Sequence, residues 1–104
     1  MPKILLIILS YNGIKYFKDL FESLSRVDYP KDHWEIFIID NASRDESAKY
    51  LRERILPLAE RELPKVHFYQ SNRNTGFVGN NIGLRYALSL YPESSRRVDY
   101  VFLL

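Results

Sequence analysis

The sequence contains no cysteine among its 104 residues. That absence removes both a disulfide framework and a thiolate metal site, and it suits a reducing compartment. Glycine is scarce, with four residues. None of them builds the G-x-G-x-x-G fingerprint expected directly after the first strand of a dinucleotide domain, and the lysine and spacing of a P-loop are missing as well. The two histidines stand apart: His33 in a polar loop and His67 inside an apolar run, neither with a companion at metal-ligand spacing. The apolar run Ile4-Leu5-Leu6-Ile7-Ile8-Leu9 is far shorter than the roughly 20 residues that cross a bilayer. It is also short for a signal-peptide core, and Ser10-Tyr11-Asn12 does not read as a cleavage site. Charge of either sign is in small excess only, with 15 Lys and Arg against 13 Asp and Glu. A net charge of +2 does not argue for nucleic acid. It is compatible with an anionic small ligand or with loose contact to an acidic membrane surface.

What remains is an ordinary globular composition, 46% hydrophobic and 27% charged, with a length that predicts one domain over residues 1–104. A chain this long buries about 60–70% of the surface it exposes when unfolded, enough for one packed core. The apolar pattern alternates between two periods. Residues 4–9 are β-rich and apolar on both faces, as a central parallel strand requires. Ile14, Phe17, Leu20, Phe21 and Leu24 then recur at helical spacing, so a helix is expected to about Arg26, with Asp28-Tyr29-Pro30 ending the unit. Glu35-Ile36-Phe37-Ile38-Ile39 predicts a second strand ending at Asp40. Ser43-Arg44-Asp45-Glu46 has the pattern of a capping box, in which Ser43 accepts from the Glu46 amide. Ala48, Leu51, Ile55 and Leu58 form the buried stripe of the helix after it, and Pro57 is expected to kink or end that helix. Val66-His67-Phe68-Tyr69-Gln70 predicts a third strand, followed by a polar loop over 71–76. A helix with Ile82, Tyr86, Ala87 and Leu90 on one face comes next, stopped by Pro92, and Tyr100-Val101-Phe102-Leu103-Leu104 predicts a fourth strand. Strands alternating with helices at this spacing imply an α/β fold, an open, mainly parallel, Rossmann-like sheet built from right-handed crossovers.

In such sheets ligands bind beyond the carboxyl ends of the strands. Ser10, Tyr11, Asn12, Asp40, Asn41, Asn72, Asn74 and Gly76 all fall there. Asp40 follows an apolar strand, and its carboxylate can accept from the imide N–H of uracil or thymine, a donor that cytosine lacks. Equally, it can cap the turn through Asn41. Tyr11 offers a flat face to a base and Ser10 a hydroxyl, while Asn12-Gly13 is also a plain turn signal. The stretch Asn72-Arg73-Asn74-Thr75-Gly76-Phe77-Val78-Gly79-Asn80-Asn81 is dense in amides before a helix. It can present backbone N–H groups to a diphosphate with Arg73 adding charge, or it can serve only as a cap. The cations Arg44, Lys49, Arg52 and Arg54 read as a solvated helix face, and Arg96-Arg97 as a surface loop. The fourteen tyrosines and phenylalanines sit mostly at core spacing.

Four stretches in order, Ile7-Ile8-Leu9-Ser10-Tyr11-Asn12, Ile38-Ile39-Asp40-Asn41-Ala42-Ser43, Asn72-Arg73-Asn74-Thr75-Gly76-Phe77 and Asp99-Tyr100-Val101-Phe102-Leu103-Leu104, make the chain resemble the family 2 glycosyltransferases of the GT-A fold, especially their rhamnosyltransferase-like branch. The resemblance implies transfer of a sugar from a UDP- or dTDP-activated donor to a glycan or lipid-linked acceptor, usually with inversion. It places Ser10 and Tyr11 beside the base, Asp40 on its imide, and Asn72, Asn74 and Gly76 around the nucleoside and diphosphate. Asn12, Asn41, Phe77 and Asn81 complete the nucleotide-sugar-binding set. The spacing from Gly76-Phe77 to Asn80-Asn81 is one residue shorter than the branch pattern, about 100° of helix rotation.

The resemblance also implies Mg²⁺ or Mn²⁺ in the full-length enzyme, held by an acidic D-x-D-like motif after the fourth strand. The sequence ends at Leu104, so that motif, the acceptor side and the general base are expected further on, with no metal bound by the motifs present. A divalent ion neutralises charge on the leaving diphosphate, so this polypeptide alone is expected to show no transferase activity. Two other readings stand beside this one. A non-catalytic remnant would at most bind nucleotides or oligomerise through an exposed sheet edge. A response-regulator-like domain would need an acidic pair where Ser10-Tyr11-Asn12 stands. Cytoplasmic placement, peripheral to the inner face of the membrane, follows from the resemblance.

Overall fold

The computed structural model describes residues 1–59, 61–90 and 97–104. Its centre is a four-stranded sheet in the order β3-β2-β1-β4: β1 is Ile4–Ser10, β2 Trp34–Asp40, β3 Lys65–Gln70 and β4 Tyr100–Leu103. Every pairing is parallel. Ile4 lies opposite Trp34 and Ser10 opposite Asp40, while Asp40 in turn faces Gln70, so the carboxyl ends of the first three strands are level. The open parallel sheet expected from the apolar runs is therefore present. The strands start one residue earlier than expected at Trp34 and Lys65, where neighbouring strands supply hydrogen-bond partners that sequence pattern does not reveal.

Period-two alternation divides the core into two layers. Ile8, Ile36, Ile38 and Trp34 point to one face and pack with Phe17 and Phe21 of α1 (Ile14–Ser25) and with Leu51, Ile55 and Leu63. Leu5, Ile7, Phe37 and Ile39 point to the other and pack with Ala87 of α4 (Asn80–Ser89). Each fully buried side chain of this size contributes about 1.5–3 kcal/mol of transfer free energy. The α4 layer is thin because the helix comes close. A Cβ added to Gly83 would lie 2.7 and 2.8 Å from Ile7 side-chain carbons. The expected helical face shifts accordingly: Gly83 and Ala87 are its buried positions, and Ile82, Tyr86 and Leu90 are only partly buried.

The segment between β2 and β3 corrects two expectations. The helix does not start at a Ser43 capping box, because Ser43 bonds elsewhere. It starts as α2 at Ser47–Tyr50, where Asp45 Oδ1 accepts from the Ser47 amide at 2.8 Å. Pro57 does not end it either. A π-helical turn, Leu51–Ile55, precedes α3 at Leu56–Ala59, and the Leu56 amide donates to the Leu51 carbonyl. Widening the turn before a proline is one way a helix admits the ring. The anticipated stripe of Ala48, Leu51 and Ile55 is buried, with Leu58 packed against it. The stop at Pro92 and the position of Arg96 lie outside the described residues.

Candidate functional site

Three loops gather at the carboxyl ends of β1, β2 and β3, and they are stitched by side chains. The Asn41 amide donates to the Ser10 carbonyl at 2.7 Å, and the Ser71 amide to the Asp40 carbonyl at 2.8 Å. The first and second loops meet through Asn12. Its amide donates to Ser43 Oγ at 2.8 Å, and its Oδ1 accepts from the amides of Arg44 at 2.7 Å and Asp45 at 3.2 Å. The second and third loops meet through Asn41. Its Nδ2 donates to Asn74 Oδ1 at 2.9 Å and to the Gly76 carbonyl at 3.2 Å, and its Oδ1 accepts from the Thr75 amide at 3.1 Å. The expected convergence of polar strand tips is thus present.

The orientation of Asp40 differs from that of a carboxylate open to a ligand. The residue is 0% exposed. Ser43 Oγ donates to its Oδ1 at 2.5 Å and the Ser43 amide to its Oδ2 at 3.1 Å. Asp40 follows the alternation of Ile36 and Ile38, toward the α1 layer, whereas Asn41 is the next residue along and reaches the loop that leads to α4. One strand end therefore sends a carboxylate to one side of the sheet and a carboxamide to the other. Both loops carry backbone in the left-handed region, at Asn12 (φ 52°) and Ala42 (φ 60°). Asparagine tolerates that region; for alanine it costs about 1–2 kcal/mol. Such strain persists only where surrounding bonds enforce it, and here Asn41, bonded to the third loop, and Ser43, bonded to Asp40, hold Ala42 between them.

The other expected residues divide by exposure. Ser10 is buried, its Oγ lying beneath the Gly13 turn, where a Cβ at residue 13 would meet it at 2.8 Å. Tyr11 is 45% exposed and Phe77 88% exposed, both available to a flat ligand. Asn72, Asn74, Gly76 and Asn81 are exposed, and Gly76 uses φ 59°. Asn80 Oδ1, at the start of α4, is buried without a partner in the structure. Asp45 takes amide protons from Ser47 and Ile14. Burial pushes its carboxyl up, but hydrogen bonds from Ser47 and from the Ile14 amide outweigh that, so its pKa lies below the ordinary value of 3.8. Ser43 and Thr75 are the bracing residues that sequence reasoning missed; the capping-box pattern drew Ser43 toward Glu46 instead. A groove of about 740 Å³ lies elsewhere, between α1 and the α2–α3 helix over Phe21, Ile55 and Leu58. None of the bracing residues lines it, so the loops remain the candidate site.

Residues 5–91 match the glycosyl transferase family 2. The chain belongs to that family. Over 53 residues it is 32% identical to the poly(ribitol-phosphate) beta-N-acetylglucosaminyltransferase TarS of Staphylococcus aureus (strain Mu50 / ATCC 700699), a stretch of 51% of this chain and 9% of that protein. Its fold superimposes on S. aureus TarS 1-349 in complex with UDP-GlcNAc with a TM-score of 0.72 at 24% identity, covering 98% of this chain and 26% of the other. It also superimposes on the mannosyltransferase PcManGT from Pyrobaculum calidifontis, in complex with GDP-Man and Mn²⁺, with a TM-score of 0.73 at 21% identity, covering 82% and 24%. The family 2 chain described here therefore spans about a quarter of the solved relatives it resembles. Among the described residues no group of three or more His, Asp or Glu side chains could hold a metal ion. The two carboxylates beside the loops are occupied, Asp40 by Ser43 and Asp45 by Ser47. These residues do not fit a divalent ion.

Proposed function

We propose that this family 2 chain forms the nucleotide-binding part of a glycosyltransferase whose donor is a UDP-linked sugar. The observation that carries the reading is the convergence of three loops at level strand ends, where α/β sheets bind ligands. The relatives support it. TarS is a beta-N-acetylglucosaminyltransferase solved with UDP-GlcNAc, which makes N-acetylglucosamine a better first candidate than the rhamnose suggested by the branch resemblance. A dTDP-sugar keeps the same imide and remains within the reading. Tyr11 supplies a stacking face, and Asn72, Asn74, Gly76, Phe77 and Asn81 border the sugar-diphosphate side. Asp40 selects the base: the imide N–H competes with Ser43 for the carboxylate, displacing the turn at residues 43–45. A catalytic divalent ion, if the whole enzyme uses one, is held by carboxylates other than Asp40 and Asp45. Transfer by this polypeptide alone is not expected. No helix among the described residues is long and apolar enough to cross a membrane, and the reading places the chain in the cytoplasm, with its small positive charge toward the inner leaflet.

Titration of UDP, dTDP, CDP and GDP against the wild type and Asp40→Ala tests this. UDP and dTDP should bind at least tenfold more tightly than CDP, about 1.4 kcal/mol, and the preference should vanish in Asp40→Ala. Guanine also carries a ring N–H donor, so GDP reports on pocket size and not on the carboxylate. Equal binding of UDP and CDP by the wild type removes the role given to Asp40. A second reading, a non-catalytic module that self-associates, draws on β4. Among the described residues this strand pairs only with β1, and Tyr100, Phe102, Leu103 and Leu104 are exposed. Sedimentation across a hundredfold range of protein concentration separates the two readings, since only the second requires an oligomer.

A further inference from the structure

The amide-rich loop has little apolar anchorage. Phe77 and Val78 point outward, at 88% and 64% exposure. The bonds inside the loop, Ser71 Oγ to the Arg73 carbonyl at 2.7 Å and the Gly76 amide to Asn74 Oδ1 at 2.8 Å, fold it upon itself without fixing it to the sheet. One side chain provides most of that fixing. Asn41 is 2% exposed and sits at the end of β2. Its Nδ2 donates to Asn74 Oδ1 and the Gly76 carbonyl, and its Oδ1 accepts from the Thr75 amide and, at 3.4 Å, from Thr75 Oγ1.

A carboxamide has two N–H donors and two acceptor lone pairs. All four are used here, within the protein. The orientation of the amide is also forced. The Thr75 N–H can only donate and the Gly76 carbonyl can only accept, so rotating the group by half a turn would set donor against donor and acceptor against acceptor. With both N–H donors and both lone pairs engaged inside the protein, the Asn41 carboxamide has none left for a ligand, whereas the Asp40 carboxylate, with two bonds from Ser43, keeps lone pairs to offer.

We infer that Asn41 is a positioning residue: it holds residues 74–76 in the shape that receives the nucleotide sugar, and does not touch the ligand. This rests on the nucleotide-sugar reading of the site. Aspartate at position 41 has the same shape and still accepts from Thr75. It loses both donations, however, and turns an oxygen toward two acceptors, Asn74 Oδ1 and the Gly76 carbonyl. The loop should come loose while the strand stays in place.

The test combines amide hydrogen exchange of the ligand-free protein with UDP titration, on the wild type, Asn41→Asp and Asn74→Ala, the last at an exposed position that leaves the fold undisturbed. In Asn41→Asp the Thr75 and Gly76 amides should exchange about tenfold faster or more, with β2 amides unchanged, and UDP affinity should fall by a similar factor, as the loss of one or two hydrogen bonds implies. In the double variant the effects of Asn41→Asp and Asn74→Ala should be less than additive, because both break the same bond. Weakened UDP binding with unchanged exchange overturns the inference, since Asn41 would then be touching the ligand. Unchanged exchange and unchanged affinity overturn it too. Should the wild type bind none of the nucleotides, the nucleotide-sugar reading fails, and the exchange rates alone then sustain or overturn the bracing role.

Discussion

The two ends of β2 both bury a carboxylate, and they treat it differently. At the amino end Glu35 is 2% exposed, on the α4 side. Its Oε1 accepts from His67 Nε2 at 2.6 Å and from the Tyr86 hydroxyl at 2.9 Å, and Lys3 Nζ lies 3.7 Å from Oε2. The rings of Phe37, His67 and Tyr86 pack together over it. At the carboxyl end Asp40 faces the α1 side with a serine hydroxyl and an amide as the partners found. A carboxylate that faces a histidine ring, a tyrosine hydroxyl and a lysine and is sealed by aromatics belongs to a fixed structure. One held by a neighbouring turn with left-handed backbone at Ala42 would, on the proposed function, exchange that turn for the imide N–H of the base. The same strand thus combines an anchored end and a responsive end, and the responsive end is where ligands bind in this architecture.

Glu35→Ala makes the sharpest break in that contrast. It leaves His67 and Tyr86 without their shared acceptor and should lower stability by about 2–3 kcal/mol, the low side for a broken buried pair because Lys3 and His67 reach solvent. Urea denaturation measures this, and the preference for UDP over CDP should survive it; a lost preference would erase the distinction between the two ends. Gly83→Ala sharpens the comparison across the sheet. In an open helix this change stabilises by up to about 1 kcal/mol, but here the new methyl meets fully buried Ile7. A net loss of about 1 kcal/mol is expected in thermal melts, and a gain would show that the α4 layer can yield. The smallest effect concerns Asp45. Its folded-state pKa is lower than the ordinary 3.8, so the ionised form contributes stability that is complete above that value. The contribution disappears as pH falls through the lower folded-state pKa. The wild type should therefore lose part of its advantage over Asp45→Asn between about pH 5 and pH 2.5, read from urea midpoints. A constant difference across that range would mean that Asp45 acts through shape and not charge.

Much of this was legible in the sequence, for identifiable reasons. Residues 4–9 and 35–39 are short, β-rich apolar runs bounded by polar or turn residues, which favours buried strands, and Ala48, Leu51 and Ile55 keep helical spacing, so the layers follow. The gathering of Ser10, Asp40 and the amide-rich loop follows from parallel topology alone. Four details did not follow. Ser43 fits a capping box with Glu46 on local grounds, but Asp40 and Asn12 lie nearer in space and take its hydroxyl. Asp40 and Asn41 looked like one polar cluster until strand alternation sent them to opposite sides. His67 had no companion at metal-ligand spacing, because its partners Glu35 and Tyr86 come from a neighbouring strand and from α4. The helical face of residues 80–89 was read from Ile82 and Tyr86, while its closest approach to the sheet is made by Gly83, a residue that carries no hydrophobic signal.

The π-helical turn before Pro57 has a mechanical corollary. The Leu56 amide reaches back five residues to the Leu51 carbonyl, and Pro57 beside it has no N–H to donate. The thirteen positions from Ser47 to Ala59 are therefore two short α-helical cylinders with a wider π turn between them, rather than one uniform rod. The front cylinder is bolted to the sheet by Ala48 and Leu51. The rear one keeps its own grip on the core, with Leu58 packed against the same buried cluster that holds Leu51 and Ile55.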